Sequence, residues 1–132
     1  MSRRQCQRWM VSLWLLGMVL CLPVLSQAQC QGVTVPVISF DYESITVGAT
    51  AIGFTAAKIV QAAGTAVMAF VSVETASISM TLNGTTPTSS IGHLWTAGQA
   101  FTVCGSLDIG RFRAIQVVSS GTMKVTYFKS AR

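Results

Sequence analysis

Ionisable side chains are scarce in this sequence of 132 residues. It contains four acidic residues and one histidine, and charged residues make up 10% of the chain. A hydrolase needs a nucleophile beside a base, or a pair of carboxylates, and so few ionisable groups leave little material for either. The histidine, His93, lies in a serine-rich stretch, where a solvated or backbone-bonded role is the ordinary one. We therefore expect a protein without catalytic residues that is not an enzyme.

Three further patterns are missing, and each excludes a class of partner. No spacing of cysteine and histidine is typical of a metal site, and no glycine-rich phosphate loop with its lysine is present. Basic residues do not cluster with aromatic residues on any one predicted element, as they do in nucleic-acid-binding domains. The sequence therefore predicts no metal, no cofactor and no nucleic acid.

The first 28 residues have the pattern of an export signal. Three arginines precede an apolar stretch over residues 11–25, and small residues end at Ala28, where a signal peptidase would cut. An apolar stretch of about 15 residues is shorter than the roughly 20 that span a bilayer. We predict a signal peptide over 1–28, a mature domain over 29–132, and a secreted or periplasmic location with only transient membrane contact. The alternatives are an uncleaved anchor and a lipoprotein modified at Cys30.

Removal of this segment changes the charge and the cysteine count. The mature part retains six basic and four acidic residues, a net charge of +2, and its two cysteines are Cys30 and Cys104. An oxidising compartment favours a disulfide between them. A loop of about 75 residues closed in this way is stabilised by roughly 4 kcal/mol in the chain-entropy model. The alternative is a pair of free thiols.

Alternating patterns predict a mature domain made almost entirely of strands. Val, Ile, Thr, Ser, Ala and Gly dominate, which is the composition of pleated, half-buried surfaces. Residues 66–75 are predicted to form a central strand, and in the last strand Met123, Val125 and Tyr127 share one face. One short helix or an irregular crossover fits within 55–64. Seven or eight short strands favour an all-β fold, a compact antiparallel β-sandwich or a jelly-roll-like barrel.

A loop with a single tryptophan after it is the first candidate binding surface. Asn83-Gly84 either closes a two-residue hairpin or opens a longer polar loop that contains Thr85 and Thr88. Trp95 follows His93 and either covers one end of the core or stacks on a sugar ring or a partner. These four side chains, two threonines, a histidine and a tryptophan, form the predicted surface.

Two arginines extend the candidate surface. We expect residues 109–119 to form a strand bent at Gly110, in which Arg111 and Arg113 lie on one face and Phe112 points inward. An exposed arginine pair is either a solvated face or part of a protein interface, where arginine is enriched. Asp41 and Glu43 also share one side of an extended segment, and we interpret them as solubilising charge at a sheet edge.

The stretch 83–93 reads N-G-T-T-P-T-S-S-I-G-H, and it is followed by an A-G turn and by the closing segments F-R-A-I and V-T-Y. In this pattern the chain resembles small β-rich proteins of tailed phages and prophages, which are usually encoded among virion structural genes. The resemblance covers roughly residues 45–129 and implies a structural role with no chemistry attached. The matching positions are Asn83, Gly84, Thr85, Pro87, Thr88, Gly92, His93, Ala97, Gly98, Phe112, Arg113, Ala114, Ile115, Val125, Thr126 and Tyr127.

The export signal and the two cysteines of the mature part depart from that family, whose members generally lack a signal peptide. We therefore expect an exported, non-catalytic structural or protein-interaction module that self-associates or docks on a larger assembly. The alternative is a periplasmic or extracellular carbohydrate-binding module that uses the loop, His93 and Trp95.

Overall fold

A computed structural model describes Cys30 and residues 35–132, and the predicted signal peptide lies outside the described residues. The described part is strand-rich, as predicted, with two short helices. Its elements are β1 (Val37–Val47), α1 (Ala56–Ile59), β2 (Val60–Gln61), β3 (Gly64–Thr65), β4 (Met68–Glu74), β5 (Ile78–Thr81), β6 (His93–Trp95), β7 (Ala100–Cys104), α2 (Ser106–Arg111), β8 (Arg113–Gln116) and β9 (Gly121–Ser130).

The strands form two main antiparallel sheets. One has four strands in the order β1-β9-β4-β7, and the other has three in the order β6-β5-β8. Strands β2 and β3 form a separate two-stranded hairpin. Apolar side chains of both sheets and of the connecting segments form one buried cluster, which is the core of a β-sandwich-like fold.

The alternation predicted for the central strands is confirmed. In β4, Ala69, Val71 and Val73 are fully buried, and this strand lies between β9 and β7. In β9, Met123 and Val125 are likewise buried, and the intervening residues point to the other side of the sheet. The period of two in the sequence therefore identified which side of each strand enters the core.

Aromatic rings fill the region where the connecting segments meet the core. Phe54 stacks on Phe112 with ring centroids 4.0 Å apart, and Tyr127 meets Phe54 edge-on at 5.8 Å. Both arrangements are among those that aromatic pairs prefer. Phe54 thus joins the segment between β1 and α1 to the last strand and to the start of β8.

The prediction of one strand over 109–119 is correct only for Arg113–Gln116, which form β8. Residues Ser106–Arg111 form the helix α2, and β8 begins only at Arg113. Ile109 and Phe112, three residues apart, are both fully buried. A helical turn sends such a pair to one side, whereas a strand would send them to opposite faces. Arg111 therefore ends a helix, and Phe112 points inward as predicted.

Two other predicted elements are changed. The alternating stretches 43–48 and 49–55 predict two short strands around Gly48. In the structure the first is the end of one long strand, β1, which has an irregularity between Ser39 and Asp41, and the second contributes only a bridge between Ile52 and Ala114. The helix expected within 55–64 is limited to Ala56–Ile59, after which the chain turns into the β2–β3 hairpin. Ile59 is its buried residue.

Candidate functional site

The predicted polar loop packs back onto the three-stranded sheet. Ser79 and Thr81 in β5 are buried, although they alternate with apolar residues. The Ser79 hydroxyl donates to the Ile91 carbonyl at 3.0 Å, and the Thr81 hydroxyl donates to the Thr85 carbonyl at 2.5 Å. Asn83-Gly84 therefore opens a long loop that covers the second side of β5, and it does not close a two-residue hairpin.

The threonines of the predicted surface are exposed but differ in role. The Thr88 hydroxyl oxygen accepts hydrogen bonds from the backbone N–H groups of Ser90 and Ile91, at 3.3 and 3.0 Å. The Thr85 N–H donates to the Asn83 side chain at 3.1 Å. Both contacts fix the course of the loop. Its threonines are thus partly engaged in shaping their own backbone.

Trp95 is built into the edge of the core. It is half-buried and packs on Phe101 with ring centroids 4.6 Å apart. Its indole N–H is buried and has no hydrogen-bond partner among the described residues. His93, two residues earlier on β6, is exposed and pairs with Met80 across the sheet. Of the two alternatives for Trp95, its position corresponds to the cover over one end of the core.

The two arginines do not share a strand face. Arg111 is exposed at the end of α2, where its side chain lies next to Gly84 at the start of the loop. Arg113 is half-buried on β8, close to Gly53, and its Nη1 donates to the Phe112 carbonyl at 2.7 Å. The prediction of a paired arginine surface is therefore wrong, because the helix α2 separates the directions of the two side chains.

A polar cluster that the sequence analysis did not identify joins β1 and β9 to the segment around α1. We define it as Asp41, Glu43, Lys58, Gln61 and Tyr127. Asp41 accepts from the Lys58 ammonium at 2.9 Å and from the Gln61 amide, and Glu43 accepts from the Tyr127 hydroxyl. Glu43 also accepts from the backbone N–H of Thr55, at 3.1 Å.

The interpretation of Asp41 and Glu43 as solubilising edge charge is therefore wrong. They do lie on one side of the strand, but it is the same side as the buried residues Ile45 and Val47. This phase was present in the sequence as an uninterrupted period of two from Asp41 to Val47. A carboxylate in phase with the core requires a partner, and the helix and the last strand provide one for each.

The cluster changes the ionisation of two of its members. Hydrogen bonds from Lys58 and from the Tyr42 backbone N–H hold the pKa of Asp41 below its usual value. Burial, reinforced by the hydrogen bond to Glu43, raises the pKa of Tyr127 far above its usual value. Both effects favour the arrangement seen, with a charged aspartate and a neutral phenol.

The four-stranded sheet presents an outer face, which we define as its side away from the three-stranded sheet. Pairing places Tyr42, Thr126, Phe70 and Thr102 side by side across β1, β9, β4 and β7. Tyr42, on the edge strand β1, is 50% exposed, and Phe70, on the central strand β4, is 45% exposed. In the sequence of β4, Phe70 is a large residue at an outward-facing position, between the smaller buried residues Ala69 and Val71.

The two neighbouring rows of the outer face differ in the size of their side chains. Phe128 and Met68, both half-buried, form the next row towards Cys104, and Ser44, Lys124, Ser72 and Ala100 form the row on the other side. Lys124 pairs with Glu74 at 3.1 Å, and this contact raises the pKa of the lysine. The outer face thus carries one cation and one anion around its aromatic centre.

Cys104 ends the edge strand of this sheet. Its Cα lies 5.8 Å from that of Cys30, and the two sulfurs are within bonding distance, with 74 positions between the residues in sequence. This separation is in the range of disulfide-bonded cysteines. The predicted pair is therefore placed as a disulfide, and it fixes residue 30 at the edge of the sheet opposite to β1.

Two other features are absent from the described residues. No group of three or more His, Cys, Asp or Glu side chains is close enough there to hold a metal ion. Within Cys30 and 35–132, no helix has the length and apolar character needed to cross a membrane.

Comparison with known proteins adds no relative. No family model, no curated protein and no solved structure matches the chain.

Proposed function

We propose that this protein is an exported, non-catalytic structural module that acts through protein–protein contact. The observation that supports the proposal is the outer face of the four-stranded sheet, where Tyr42 and Phe70, each about half exposed, lie in one row on either side of Thr126. Aromatic residues are enriched at protein interfaces because they bury a large area at a small entropic cost. The outer face is the part of the described surface that best fits this role.

The distribution of the carboxylates is consistent with a structural role. Asp41 and Glu43 bind the segment around α1, and Glu74 pairs with Lys124 on the surface. Each of these contacts holds two elements or two strands together. A reacting centre would instead combine a carboxylate or a histidine with a nucleophile in a cleft.

Export is the second part of the proposal. Its supports are the signal-like pattern of residues 1–28 and the disulfide geometry of Cys30 and Cys104, since disulfides persist in oxidising compartments. Together with the resemblance to phage structural proteins, they suggest a sandwich of virion type that works outside the cytoplasm. The location that we propose is secreted or periplasmic, with cleavage after Ala28.

Capture of protein partners tests the proposal. The processed protein, immobilised through its C terminus, is exposed to envelope and virion fractions, and bound proteins are identified by mass spectrometry beside self-association measured by light scattering. We expect specific capture, self-association or both, and their loss in the Phe70→Thr variant. A protein that stays monomeric and retains nothing from either fraction would overturn the proposal.

The carbohydrate-binding alternative keeps one supporting observation. Tyr42, with hydroxyl side chains of Thr126 and Ser44 around it, is an exposed ring in a polar setting, as sugar stacking requires. Trp95, whose ring packs on Phe101, is less suited. Glycan binding that is lost in Tyr42→Ala but kept in Trp95→Ala would favour this alternative at the outer face, and an absence of glycan hits would remove it.

A further inference from the structure

We propose that the outer face binds a second copy of the same chain, around a two-fold axis that runs parallel to the strands between β9 and β4. This inference rests on the proposed function and names its partner. Strands β9 and β4 are the two central strands of the sheet. With the axis between them, β9 of each copy lies over β4 of the other copy. Each row of side chains then lies over the same row of the second copy.

Side-chain size is complementary in that arrangement. In the aromatic row, Phe70 on β4 faces Thr126 on β9 of the second copy, and Tyr42 on β1 faces Thr102 on β7. A large side chain therefore meets a small one at each place, which is the pattern that lets two sheets pack about 10 Å apart. In the next row, Phe128 faces the flexible side chain of Met68, which adapts to an aromatic neighbour.

Charge is complementary as well. Lys124 on β9 faces Ser72 on β4 of the second copy, and Glu74 on β4 faces Thr122 on β9. Neither charge meets its like. Glu74 of the second copy lies one row from Lys124, so the ion pair within one chain extends to the other chain. The two-fold axis thus converts one surface pair into a network of four charges.

The size of the face agrees with a modest dimer. Four strands about 4.8 Å apart and four rows about 6.8 Å apart cover roughly 500 Å² per copy. The total of about 1,000 Å² is at the lower end for specific interfaces. We therefore expect a reversible dimer whose population depends on concentration.

Sedimentation velocity over a range of concentrations tests the inference on the processed protein. The original chain is expected to pass from monomer to dimer, and Phe70→Thr should weaken dimerisation at least about tenfold, because it removes a central aromatic contact. Threonine suits a strand, and a melting curve verifies that the variant is folded. Val118→Thr, at a residue 88% exposed but off the sheet, is the matched control and should dimerise like the original.

Charge reversal gives a second, independent variant. Lys124→Glu places like charges at the network and should weaken the dimer, and the added Glu74→Lys change should restore it. A dimer that Phe70→Thr and Lys124→Glu leave unchanged would overturn the inference and the role of the outer face, whereas the self-association itself would still support a structural module. A chain that stays monomeric would also overturn the inference, and the proposed function would then depend on the partner-capture experiment alone.

Discussion

At the scale of single residues, the contact between Tyr127 and Glu43 holds the inner side of the sheet to the rest of the fold. Tyr127 is fully buried, and its hydroxyl donates to a carboxylate that also accepts the N–H of Thr55. Glu43 is half-buried, and a partly desolvated carboxylate that loses a hydrogen-bond donor is left less stable. Loss of the Tyr127 hydroxyl should therefore reduce the stability of the fold more than loss of the Tyr42 hydroxyl.

The first prediction concerns this hydroxyl. Tyr127→Phe keeps the ring in place but removes the hydrogen bond to Glu43, so the free energy of unfolding should fall by about 1–2 kcal/mol. Urea denaturation monitored by circular dichroism measures it. Tyr42→Phe, at the half-exposed tyrosine, is the control and should change stability by less than about 0.5 kcal/mol. Equal effects of the two changes would contradict the role assigned to Tyr127.

The second prediction concerns ionisation of the same phenol. The chain contains two tyrosines, so Tyr127 is the only one left in the Tyr42→Phe variant. Since burial and Glu43 raise the pKa of Tyr127, phenolate absorbance should not develop near pH 10, the ordinary range of tyrosine, and should appear only as the protein unfolds. Its contribution to stability is therefore complete below about pH 10 and declines above it. A phenolate that forms near pH 10 in the folded variant would disprove the assignment.

The third prediction concerns acid. The pKa of Asp41 is lower in the folded state than in the unfolded chain, so its contribution to stability is complete above about pH 4 and declines as the pH falls towards the folded-state value. Asp41→Asn should make the protein less stable near neutral pH and reduce the slope of stability against pH below about pH 4. Asp108→Asn, at an exposed position on α2, is the control and should change the stability near neutral pH by less than about 0.5 kcal/mol. Denaturation midpoints between pH 2 and 7 measure both.

At the scale of elements, the loop over β5 depends on one glycine. Gly92 has φ +129°, and a Cβ there would lie 2.5 Å from the Ser79 hydroxyl and 2.9 Å from the Met80 carbonyl oxygen. Gly98 also has positive φ, +86°, but nothing within 4 Å of its Cβ position. A side chain at Gly98 would therefore cause backbone strain alone, whereas a side chain at Gly92 would cause both backbone strain and steric overlap.

The fourth prediction uses this pair. Gly92→Ala should lower the free energy of unfolding by about 3 kcal/mol, because an unfavourable φ and an overpacked contact add. Gly98→Ala should cost about 1 kcal/mol, from the backbone alone. Thermal and urea unfolding measure both variants. A Gly92→Ala change no worse than Gly98→Ala would show that the loop does not press on β5 as described.

Element by element, the sequence was informative where a strand had one buried side and misleading where the chain turned. The alternation of apolar residues at every second position identified β4 and β9, because Val71 and Val125 each belong to such an alternating set of buried residues. It did not identify α2, since a helix of six residues contains too few repeats to show a period, and Ile109 and Phe112 fit an apolar strand almost as well. The hairpin of β2 and β3, two residues each, is too short for any pattern.

The candidate surfaces could likewise be predicted only in part from the sequence. Exposure of Thr85 and Thr88 follows from their polar loop, but the outer face could not be predicted from one strand at a time. Tyr42 and Phe70 are 28 positions apart in sequence, and only the pairing of β1 and β4 with β9 puts them in one row. Sheet order is a property of the whole fold, so a surface that spans several strands emerges only with the structure.

At the scale of the whole molecule, the disulfide and the outer face define what the protein presents to its surroundings. Cys30 is held by its disulfide at Cys104 of β7, on the sheet edge opposite to β1. The described part of the chain therefore combines a disulfide at one sheet edge with an outer face that exposes Tyr42 and Phe70 in one row.

The fifth prediction concerns the disulfide. Replacement of Cys30 and Cys104 by Ser should lower the free energy of unfolding by about 4 kcal/mol, because the unfolded chain regains the freedom of a long loop. The oxidised protein should have a mass two hydrogens below that of the reduced chain. Reduction of the original protein should reproduce the loss of stability, while the Ser variant should not respond to reductant. Alkylation of both cysteines in the folded, secreted protein would contradict the pair.

Cross-linking tests the central claim most directly, because it reports which strands face each other. Ser44 on β1 and Ala100 on β7 lie about 14 Å apart within one sheet, but the proposed axis puts each over the other residue of the second copy, about 10 Å away. In the Ser44→Cys/Ala100→Cys variant, a bismaleimide with a reach of about 10 Å should give a covalent dimer, whereas either single variant should stay monomeric. A double variant that gives no more dimer than the single variants would contradict the account.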